Sequence, residues 1–441
     1  MTLPRTPDEA RAFLLGLPPS VMKLGLERVE AVLAALGNPE QRFPALHVAG
    51  TNGKGSTCAF AEACLRAGGY RTGLYTSPHL VRVNERIRVG GEEIPDAVLG
   101  QGVLEVLERA PFAAETLTFF EFGTVVAFWH FAQERVDVAV VEVGLGGRLD
   151  ATRACRAEVT AVSAVSFDHE AQLGNTLDAI AGEKAGIFRA GIPAVSAAQA
   201  PEAWGRISRV AAEVGAPLLR EGAHFGLGPA EEGGFTFHGP GDTRVDGLRL
   251  ALPGPHQQHN AALALAALGE LGRRGFPLSP EALREGLASA RWPGRMERLL
   301  QRPGLWVDGA HNPAGVEALA AAVRQLLPGR PLQLVFGVLG DKAWPAMVER
   351  LFPLASGLHL GRVESPRALA PDAPGLLEAA GRAGLWPAVY PSVAAAVEGA
   401  LGVAGEEGEV LACGSLVLVG EVHAWVQAQL EAGRLRGGAL S

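Results

Sequence analysis

The sequence predicts an α/β protein of two domains, each with a parallel sheet. The chain has 441 residues, which is more than one hydrophobic core usually organises. A strand, a glycine-rich loop and a helix follow one another at 46–67, and strands alternate with helices again after residue 297. We therefore predict a large domain at 1–296 and a smaller, Rossmann-like domain at 297–441.

The elements of the first domain follow from residue periodicity and from the positions of glycine. Apolar residues at helical spacing predict helices, and β-branched runs predict buried strands. The predicted helices are 26–36, 56–67, 116–134, 176–189, 257–273 and 280–289. The predicted strands are 46–49, 71–76, 137–143, 158–166 and 192–197. Alternation around Gly90-Gly91 predicts a hairpin at 81–95, and glycine-rich 222–252 predicts a small antiparallel meander.

The second domain follows a break in the pattern at Trp292-Pro293-Gly294-Arg295. Its predicted strands are 305–308, 332–338, 356–361 and 408–413. Its predicted helices are 314–326, 343–350, 391–403 and 416–431. Because strands and helices alternate here, we expect a second parallel sheet with helices on its faces.

The composition excludes several classes of protein. The net charge is −8 and no run of basic residues occurs, so we expect no nucleic-acid partner. No apolar stretch reaches the length of a membrane span, and the first residues lack the apolar core of a signal peptide. The four cysteines form no Cys-x-x-Cys pair. We expect a cytoplasmic protein without a membrane partner.

The basic residues of the chain are almost all arginine. Among 39 basic residues the only lysines are Lys23, Lys54, Lys184 and Lys342. A retained lysine therefore indicates chemistry that a guanidinium does not supply. Lys184 lies within a predicted helix next to apolar residues, where an amine able to lose its proton is one explanation. The alternative is a lysine whose stem extends along the surface to reach solvent.

The loop Gly50-Thr51-Asn52-Gly53-Lys54-Gly55-Ser56 lies between a predicted strand and a predicted helix. Glycines let backbone N–H groups approach a phosphate, a lysine reaches the outer phosphates, and a hydroxyl binds magnesium. The loop departs from the common phosphate-loop motif at two positions. Val48 stands where the motif has its first glycine, and Gly55 stands where it has Ser or Thr after the lysine. All three features remain, which indicates phosphate binding; the alternative is an ordinary glycine turn.

Other polar residues follow predicted strands, where α/β domains bind ligands. Glu142 ends a buried strand and is either a magnesium ligand or the partner of an arginine. Asp168-His169 follows another strand, and its histidine is either catalytic or structural. Residues 308–313 form a polar cluster after the first strand of the second domain. Gly144–Gly147 fails as a dinucleotide fingerprint because Leu149 replaces its last glycine. We interpret these glycines as allowing close approach of another segment.

Together these motifs resemble the Mur-ligase superfamily, and within it the bacterial bifunctional dihydrofolate synthase/folylpolyglutamate synthases. The matching strings occur in the family's order over nearly the full chain: VAGTNGKGST (48–57), TSPHL (76–80), FFEFGT (119–124), VEVGLGGRLDAT (141–152), DHEAQLG (168–174), GEKAGIF (182–188), HQQHNA (256–261), PGRME (293–297), DGAHNP (308–313) and CGSLVLVGE (413–421). The resemblance implies a phosphate-loop ATPase domain of Mur-ligase type that binds ATP and pterin, followed by a glutamate-ligase-type α/β domain.

The resemblance also implies a reaction. The family uses ATP to join a carboxylate to the amine of L-glutamate, through an acyl phosphate that the amine attacks. Such phosphoryl transfer depends on positioning and on neutralisation of charge. The implied substrates are dihydropteroate, reduced folates and L-glutamate. The implied cofactors are ATP, two Mg²⁺ ions and a carbamate on Lys184, and family precedent implies a monomer.

The site residues implied by the resemblance fall into four groups. The nucleotide would contact Thr51, Asn52, Gly53, Lys54, Gly55, Ser56, Asn260, Arg295 and Asp308. The metal ligands would be Ser77, Glu142, His169 and carbamylated Lys184. The catalytic residues would be Lys184, His169, Glu142 and His311. The substrates would contact Leu24, Gly25, Leu26, Glu27, Arg28, Phe120, Glu121, Phe122, Leu149, Asp150, Ala151 and, for glutamate, Ser415.

The chain departs from the family pattern at two positions, and three other hypotheses stay open. Arg153 stands where Asn is common, and Glu170 where Thr often follows the histidine. A phosphate-loop switch would hydrolyse nucleotide without glutamate and would not need a second α/β domain. A Mur ligase for a cell-wall precursor is disfavoured by GLER (25–28) and FFEFGT. A dehydrogenase is disfavoured by Leu149.

Overall fold

The computed structural model describes residues 3–18, 25–230 and 233–434. The chain divides into two compact units. The first is Met1–Ala251 with Gln257–Arg291, and the second is Leu252–His256 with Trp292–Ser441. This division assigns residues 292–296 to the second unit, whereas the sequence-based boundary assigns them to the first. The predicted α/β class is confirmed, and no described helix is long and apolar enough to cross a membrane.

The first unit is organised around an eight-stranded sheet. Its strands are β1 (Ala45–Ala49), β2 (Thr72–Tyr75), β3 (Ile87–Val89), β4 (Glu92–Glu93), β5 (Val138–Glu142), β6 (Ala157–Val162), β7 (Ala194–Ser196) and β8 (Leu218–Arg220). They run in the order β4-β3-β2-β5-β1-β6-β7-β8; β3 pairs antiparallel with both β2 and β4, and all other neighbours pair parallel. β1 lies between β5 and β6, with Val48 opposite Glu142. The loop after β1 therefore leaves the sheet beside the end of β5.

A second, three-stranded sheet confirms the predicted meander. Its strands are β9 (Gly226–Pro229), β10 (Phe235–His238) and β11 (Arg244–Leu248). They pair antiparallel in the order β11-β10-β9. The buried side chains of Phe237, Val245 and Leu248 hold it together.

The described part of the first unit contains eleven α-helices, of which α10 starts one residue before the unit's second segment. They are α1 (Pro7–Gly16), α2 (Glu27–Ala35), α3 (Lys54–Ala67), α4 (Asp96–Arg109), α5 (Ala113–Thr116), α6 (Phe119–Gln133), α7 (Glu170–Leu173), α8 (Leu177–Ala185), α9 (Pro201–Val214), α10 (His256–Arg273) and α11 (Pro280–Ser289). α3 begins at Lys54 rather than at the predicted Ser56, because Gly53 turns the chain in a left-handed conformation with φ 88°. The phosphate-loop lysine is therefore the first residue of the helix.

Helix α6 is the centre of the main core of the first unit. It is apolar on nearly every side, which suits a helix buried all round. Phe122, Phe128 and Phe131 are fully buried, and Phe43 packs on the last two with ring centroids 6.0 and 5.7 Å away. The first turn of α6 carries the predicted pterin contacts, so this packing fixes their position.

Removal of the Phe128 side chain is expected to destabilise the first unit. Phe128→Ala should lower its free energy of unfolding by about 3–5 kcal/mol, because a fully buried ring leaves a cavity. Phe112→Ala is the matched control, since that ring is 47% exposed. Urea denaturation followed by circular dichroism measures both. A loss below about 1 kcal/mol for Phe128→Ala would contradict the central role of α6.

The second unit has a six-stranded sheet of its own. The strands are β12 (Glu297–Gln301), β13 (Gly304–Asp308), β14 (Leu332–Phe336), β15 (Gly357–Gly361), β16 (Ala388–Tyr390) and β17 (Glu409–Cys413). Their order is β12-β13-β17-β14-β15-β16, and only β12 is antiparallel. The helices are α12 (Pro313–Leu326), α13 (Trp344–Leu351), α14 (Pro374–Arg382), α15 (Val393–Ala404) and α16 (Leu416–Glu431). The predicted second parallel sheet is confirmed.

The hairpin predicted at 81–95 is correct at its turn and wrong at its start. Gly90 and Gly91 turn the chain between β3 and β4 with φ of 60° and 89°. Residues Val83–Arg86 form a short 3-10 helix instead of a strand. The cause is the Glu85 carboxylate, which accepts the backbone N–H groups of residues 80, 81 and 82 at 2.7, 2.8 and 2.6 Å. This local capping overrides the alternating pattern.

Candidate active site

The loop after β1 turns on two glycines whose conformation and surroundings exclude other residues. Gly50 has φ 145° and Gly53 has φ 88°. A Cβ at Gly50 would collide with the Ser163 hydroxyl, and one at Gly53 with Asn260 Oδ1. The 14-residue helix α3 starts directly after Gly53, so its unpaired N–H groups lie at the loop. The arrangement fits a bound phosphate chain.

The Lys54 ammonium lies over this loop. Its Nζ donates to the carbonyl oxygens of Gly50 and Thr51 at 3.2 Å each. It is 4.0 Å from Glu142 Oε1. Lys54 therefore provides a positive charge beside the loop for an outer phosphate, and Glu142 provides a buried negative charge for a metal ion.

The middle of the loop is fixed by the segment after β6. Thr51 Oγ1 donates to the Ser166 carbonyl at 3.0 Å and accepts the Ser166 N–H at 3.1 Å. Asn52 Nδ2 donates to Ser166 Oγ at 3.1 Å. The two predicted nucleotide contacts are thus held by a residue, Ser166, that sequence reasoning missed. Its only signal is its place as the last residue of a predicted strand.

Glu142 and Ser77 meet at the ends of neighbouring strands. Glu142 is 3% exposed, and its Oε2 accepts the backbone N–H of Ser77 at 3.1 Å. The described residues contain no group of three or more His, Cys, Asp or Glu side chains around one point. Mg²⁺ uses one or two protein carboxylates and takes its other oxygens from phosphates and water. The buried carboxylate beside Lys54 fits such an ion.

Lys184 reaches the phosphate loop from helix α8. Its side chain is 4% exposed, and Nζ donates to the Gly50 carbonyl at 2.8 Å. Burial, and after it the positive charge of Lys54, lower the pKa of Lys184 to about 7. A large fraction of the amine is therefore neutral near neutral pH, and the lysine does not extend to solvent.

His169 lies at a less buried place than the other predicted ligands. It has φ 53° at the start of the short helix α7, and its side chain is 45% exposed. Nε2 is 3.9 Å from Asp168 Oδ1, and the charge of Asp168 acts on Lys184. The structure thus places the 168–169 segment near Lys184 and leaves its imidazole accessible. Glu170, a departure from the family pattern, is exposed.

Several of the residues predicted to bind the pterin contact other residues of the protein in this structure. Arg28 pairs with Glu121 at 2.7 Å, and Glu121 also accepts the N–H of Thr118 at 2.8 Å to cap α6. Phe122 is fully buried, whereas Phe120 is partly exposed and packs on Gly144. Gly25, Leu26 and Glu27 lead into α2, and Leu24 lies outside the described residues.

The glycine-rich loop after β5 packs against the end of α8. A Cβ at Gly147 would come within 3.0 Å of the carbonyl oxygens of Glu183 and Lys184, so the predicted close approach is confirmed. Asp150 is buried and accepts the N–H groups of Leu145 at 2.9 Å and Thr152 at 3.0 Å. Burial raises the pKa of Asp150. Asp150 thus holds the loop, with partly exposed Leu149 and buried Ala151 beside it.

Arg153, the other departure, ties the same two segments together. Its Nε donates to the Gly186 carbonyl at 2.9 Å. In return, Arg189 donates to the carbonyl oxygens of Arg153 and, at 2.8 Å, Cys155. These bonds fasten the 3-10 helix at 151–154 to the segment after Lys184, so Arg153 has a structural role.

The second unit has a polar cluster at the carboxyl ends of β13 and β17. Asp308 is 4% exposed and accepts the N–H groups of Met296 at 2.9 Å and Ala310 at 2.8 Å. Arg295 donates to the Gly294 carbonyl at 2.8 Å. His311 Nδ1 donates to the Gly309 carbonyl at 2.8 Å, which fixes its tautomer.

Ser415 follows β17, whose Cys413 is paired opposite Asp308. Its hydroxyl caps α16 by accepting the N–H of Leu418 at 3.0 Å. The N-terminal turn of α16 therefore lies at the same sheet edge as Asp308. Ser415 and Asp308 are both predicted site residues. They lie at the same edge because the parallel strands β17 and β13 both end there.

Sequence reasoning missed two further groups in the first unit. Buried Gln257 accepts from Asn260 Nδ2 at 2.9 Å and so orients the amide that approaches Gly53. Burial and the charge of Arg86 lower the pKa of His79 to about 4, and Arg86 Nε donates to His79 Nδ1 at 2.8 Å. His79 belongs to the quoted TSPHL string, so that string was its signal.

Comparison with known proteins finds the same relatives by sequence and by structure. Residues 294–416 match the family described as Mur ligase, glutamate ligase domain. The chain is 37% identical to dihydrofolate synthase/folylpolyglutamate synthase of Escherichia coli over 98% of this chain and 100% of that protein. It is 38% identical to the Bacillus subtilis protein of the same name over 82% of this chain and 86% of the relative.

Solved structures agree with this. E. coli FolC in complex with DHPP and ADP is 36% identical and superposes with a TM-score of 0.86, over 97% of this chain and 99% of that one. The Yersinia pestis bifunctional folylpolyglutamate synthase/dihydrofolate synthase, complexed with AMPPNP and Mn ion, is 33% identical with a TM-score of 0.85. The matched region covers 97% of this chain and 100% of the Y. pestis chain.

Proposed function

The chain belongs to the dihydrofolate synthase/folylpolyglutamate synthase family of ATP-dependent glutamate ligases, and we propose that its phosphate loop, Glu142 and Lys184 form the phosphoryl-transfer centre. The enzyme adds L-glutamate to a pteroate or folate carboxyl group at the expense of ATP. One observation carries the proposal. Lys184 and Lys54, from separate helices, both donate to the Gly50 carbonyl, and Lys54 lies 4.0 Å from Glu142.

The residues of this centre neutralise charge rather than form covalent bonds to substrate. The loop N–H groups and the Lys54 ammonium bind the phosphates of ATP, which lets a negative carboxylate approach the terminal phosphorus. The carboxylate attacks and ADP leaves. The amine of L-glutamate then attacks the carbonyl carbon of the acyl phosphate, and inorganic phosphate leaves as the amide forms.

Glu142 and Ser77 would hold Mg²⁺, with His169 and a carbamate on Lys184 as the further ligands that the resemblance implies. When bound, the metal withdraws charge from the transferring phosphoryl group. The buried Glu142 carboxylate beside a lysine supports this assignment. The Y. pestis relative is complexed with AMPPNP and Mn ion, which supports the use of a divalent cation together with the nucleotide.

A carbamate on Lys184 is the second part of the proposal. Carbon dioxide adds only to a neutral amine, and this amine is buried with its pKa lowered to about 7. The product is a carboxylate-like group, which would offset the nearby charge of Lys54 and help to bind metal. Arginine cannot form it, because a guanidinium keeps its proton.

We assign Arg295, Asp308 and His311 to the nucleotide and to catalysis, and Ser415 to the incoming glutamate, as the resemblance implies. We further propose that the enzyme acts on both dihydropteroate and reduced folates. The support is that the E. coli and B. subtilis relatives carry both activities in their names. The partly exposed Phe120 and Leu149, and Arg28 of the Arg28–Glu121 pair, would then contact the pterin.

A paired assay tests this function. Purified protein with ATP, Mg²⁺ and L-glutamate should release phosphate with dihydropteroate and also with a reduced folate monoglutamate. Phosphate release should stay at background when glutamate or the pteroyl substrate is left out. Rapid release without glutamate would support a nucleotide-hydrolysing switch instead, and activity with only one of the two substrates would remove the bifunctional assignment.

A further inference from the structure

The loop after β2 presents His79, which the mechanism above does not use. β2 pairs with β5 up to Tyr75 opposite Val141, so the loop leaves the sheet beside the strand end that carries Glu142. Two residues before His79, the Ser77 N–H donates to Glu142 Oε2 at 3.1 Å. His79 therefore lies next to the proposed phosphoryl-transfer centre.

A hydrogen bond fixes which nitrogen of His79 carries the proton. Arg86 Nε donates to His79 Nδ1 at 2.8 Å. A guanidinium has no acceptor atom, so Nδ1 contributes its lone pair and the proton lies on Nε2. In the described parts of the chain no protein group accepts a hydrogen bond from that Nε2. The ring is partly exposed, which leaves the Nε2–H as a donor at this edge of the sheet.

Arg86 is itself held on several sides. It is 9% exposed, and its carbonyl oxygen accepts the N–H of Thr76 at 3.0 Å. Its guanidinium carbon lies 5.0 Å from the centroid of the Phe119 ring, a cation–π distance. Phe119 opens α6 and precedes the predicted pterin contacts 120–122. Arg86 thus connects the loop of His79 with the segment predicted to bind the substrate.

We propose that His79 is a further substrate-binding residue, whose Nε2–H donates to an oxygen of the carboxylate that receives the phosphoryl group. Arg86 is its positioning residue. A carboxylate oxygen accepts such a bond before transfer, and the carbonyl oxygen of the acyl phosphate accepts it afterwards. Such a donor orients the carboxylate by a directional hydrogen bond and leaves the neutralisation of charge to Lys54. The inference rests on the proposed function of the chain.

The test compares variants of His79 in the ligation assay with the full-length enzyme. His79→Ala should lower kcat/KM for dihydropteroate about 10-fold or more, with KM for L-glutamate within about twofold of wild type. His79→Gln should restore most of the loss, because its amide supplies both an acceptor for Arg86 and an outward donor. His79→Met fills the space without a donor and should repeat the loss if the Ala variant fails to fold.

His224→Ala is the matched control. His224 Nδ1 also accepts from an arginine, the backbone N–H of Arg220 at 2.9 Å, but it lies on the turn between β8 and β9. This variant should keep wild-type kcat/KM. A fall equal to that of His79→Ala would contradict a specific role for His79.

A double-variant cycle separates positioning from loop stability. Arg86→Lys should lower kcat/KM in the wild-type background and have little further effect on His79→Ala, since both changes remove one interaction. Equal losses in both backgrounds would overturn the positioning role. Folded His79→Ala and His79→Met with kcat/KM within twofold of wild type would overturn the proposal. Wild-type enzyme that fails to ligate in the same assay would instead contradict the proposed function.

Discussion

Lys184→Arg is expected to reduce ligation by about 100-fold to 1,000-fold, a loss typical of removing one preorganised group that stabilises the transition state. The variant keeps a positive charge but cannot carry a carbamate. Instead of a negative group near the metal, the site would hold a second permanent cation beside Lys54. The measurement is kcat for glutamate-dependent phosphate release, with thermal unfolding as the check on folding.

Two comparisons make the Lys184 result specific. Lys342→Arg is the matched control, because Lys342 is a partly buried lysine of the second unit and should tolerate the change. Lys184→Ala leaves space for a small carboxylic acid, so added acetate should partly restore its activity but not that of Lys184→Arg. Removal of dissolved bicarbonate should lower wild-type activity slowly. Near-normal turnover by Lys184→Arg would end the carbamate hypothesis.

Glu142→Gln is expected to lower kcat/KM by at least about 100-fold and to raise the Mg²⁺ concentration needed for half-maximal activity. The amide has the same shape and can still accept the Ser77 N–H, so the strand end should keep its structure. What it loses is the negative charge that faces Lys54. The measurement is a Mg²⁺ titration of the initial rate at saturating ATP.

Glu62→Gln is the matched control for this variant. Glu62 is also a buried carboxylate with a basic partner, accepting from Thr72 Oγ1 at 2.6 Å and Arg66 Nε at 3.2 Å, but it lies along α3 away from the loop. It should lose stability without any change in Mg²⁺ dependence. An unchanged Mg²⁺ titration for Glu142→Gln would exclude Glu142 as a metal ligand.

Elements and site residues could be predicted from the sequence where a local residue pattern determines the structure. The strand, glycine loop and helix at 45–67 follow from a short apolar run, from glycines and from helical spacing, and all three are present. Glu142 and Lys184 stood out because charged residues are rare within apolar runs. The amphipathic helix α9 was not predicted, although its buried residues Ala203, Ile207 and Ala211 recur at helical spacing.

What the sequence did not reveal depends on contacts between distant residues. The Asn260 amide, which Gln257 orients, lies against Gly53, and the two segments are about 200 residues apart in the sequence. The Arg86–His79 bond likewise depends on the 3-10 helix that Glu85 induces against the strand pattern. Such contacts leave no periodicity in the sequence. The resemblance supplied residue roles, but it could not supply these positioning groups.

The central claim is that the carboxylate is phosphorylated at this site before glutamate attacks it. Dihydropteroate labelled with ¹⁸O in its carboxyl group tests this most directly, by mass spectrometry of the inorganic phosphate released during ligation. Attack of the carboxylate on ATP predicts that one ¹⁸O atom passes into each phosphate, because the amine displaces phosphate with that oxygen attached. Ligation that releases only unlabelled phosphate would contradict the acyl-phosphate route and the roles assigned to the phosphate loop, Glu142 and Lys184.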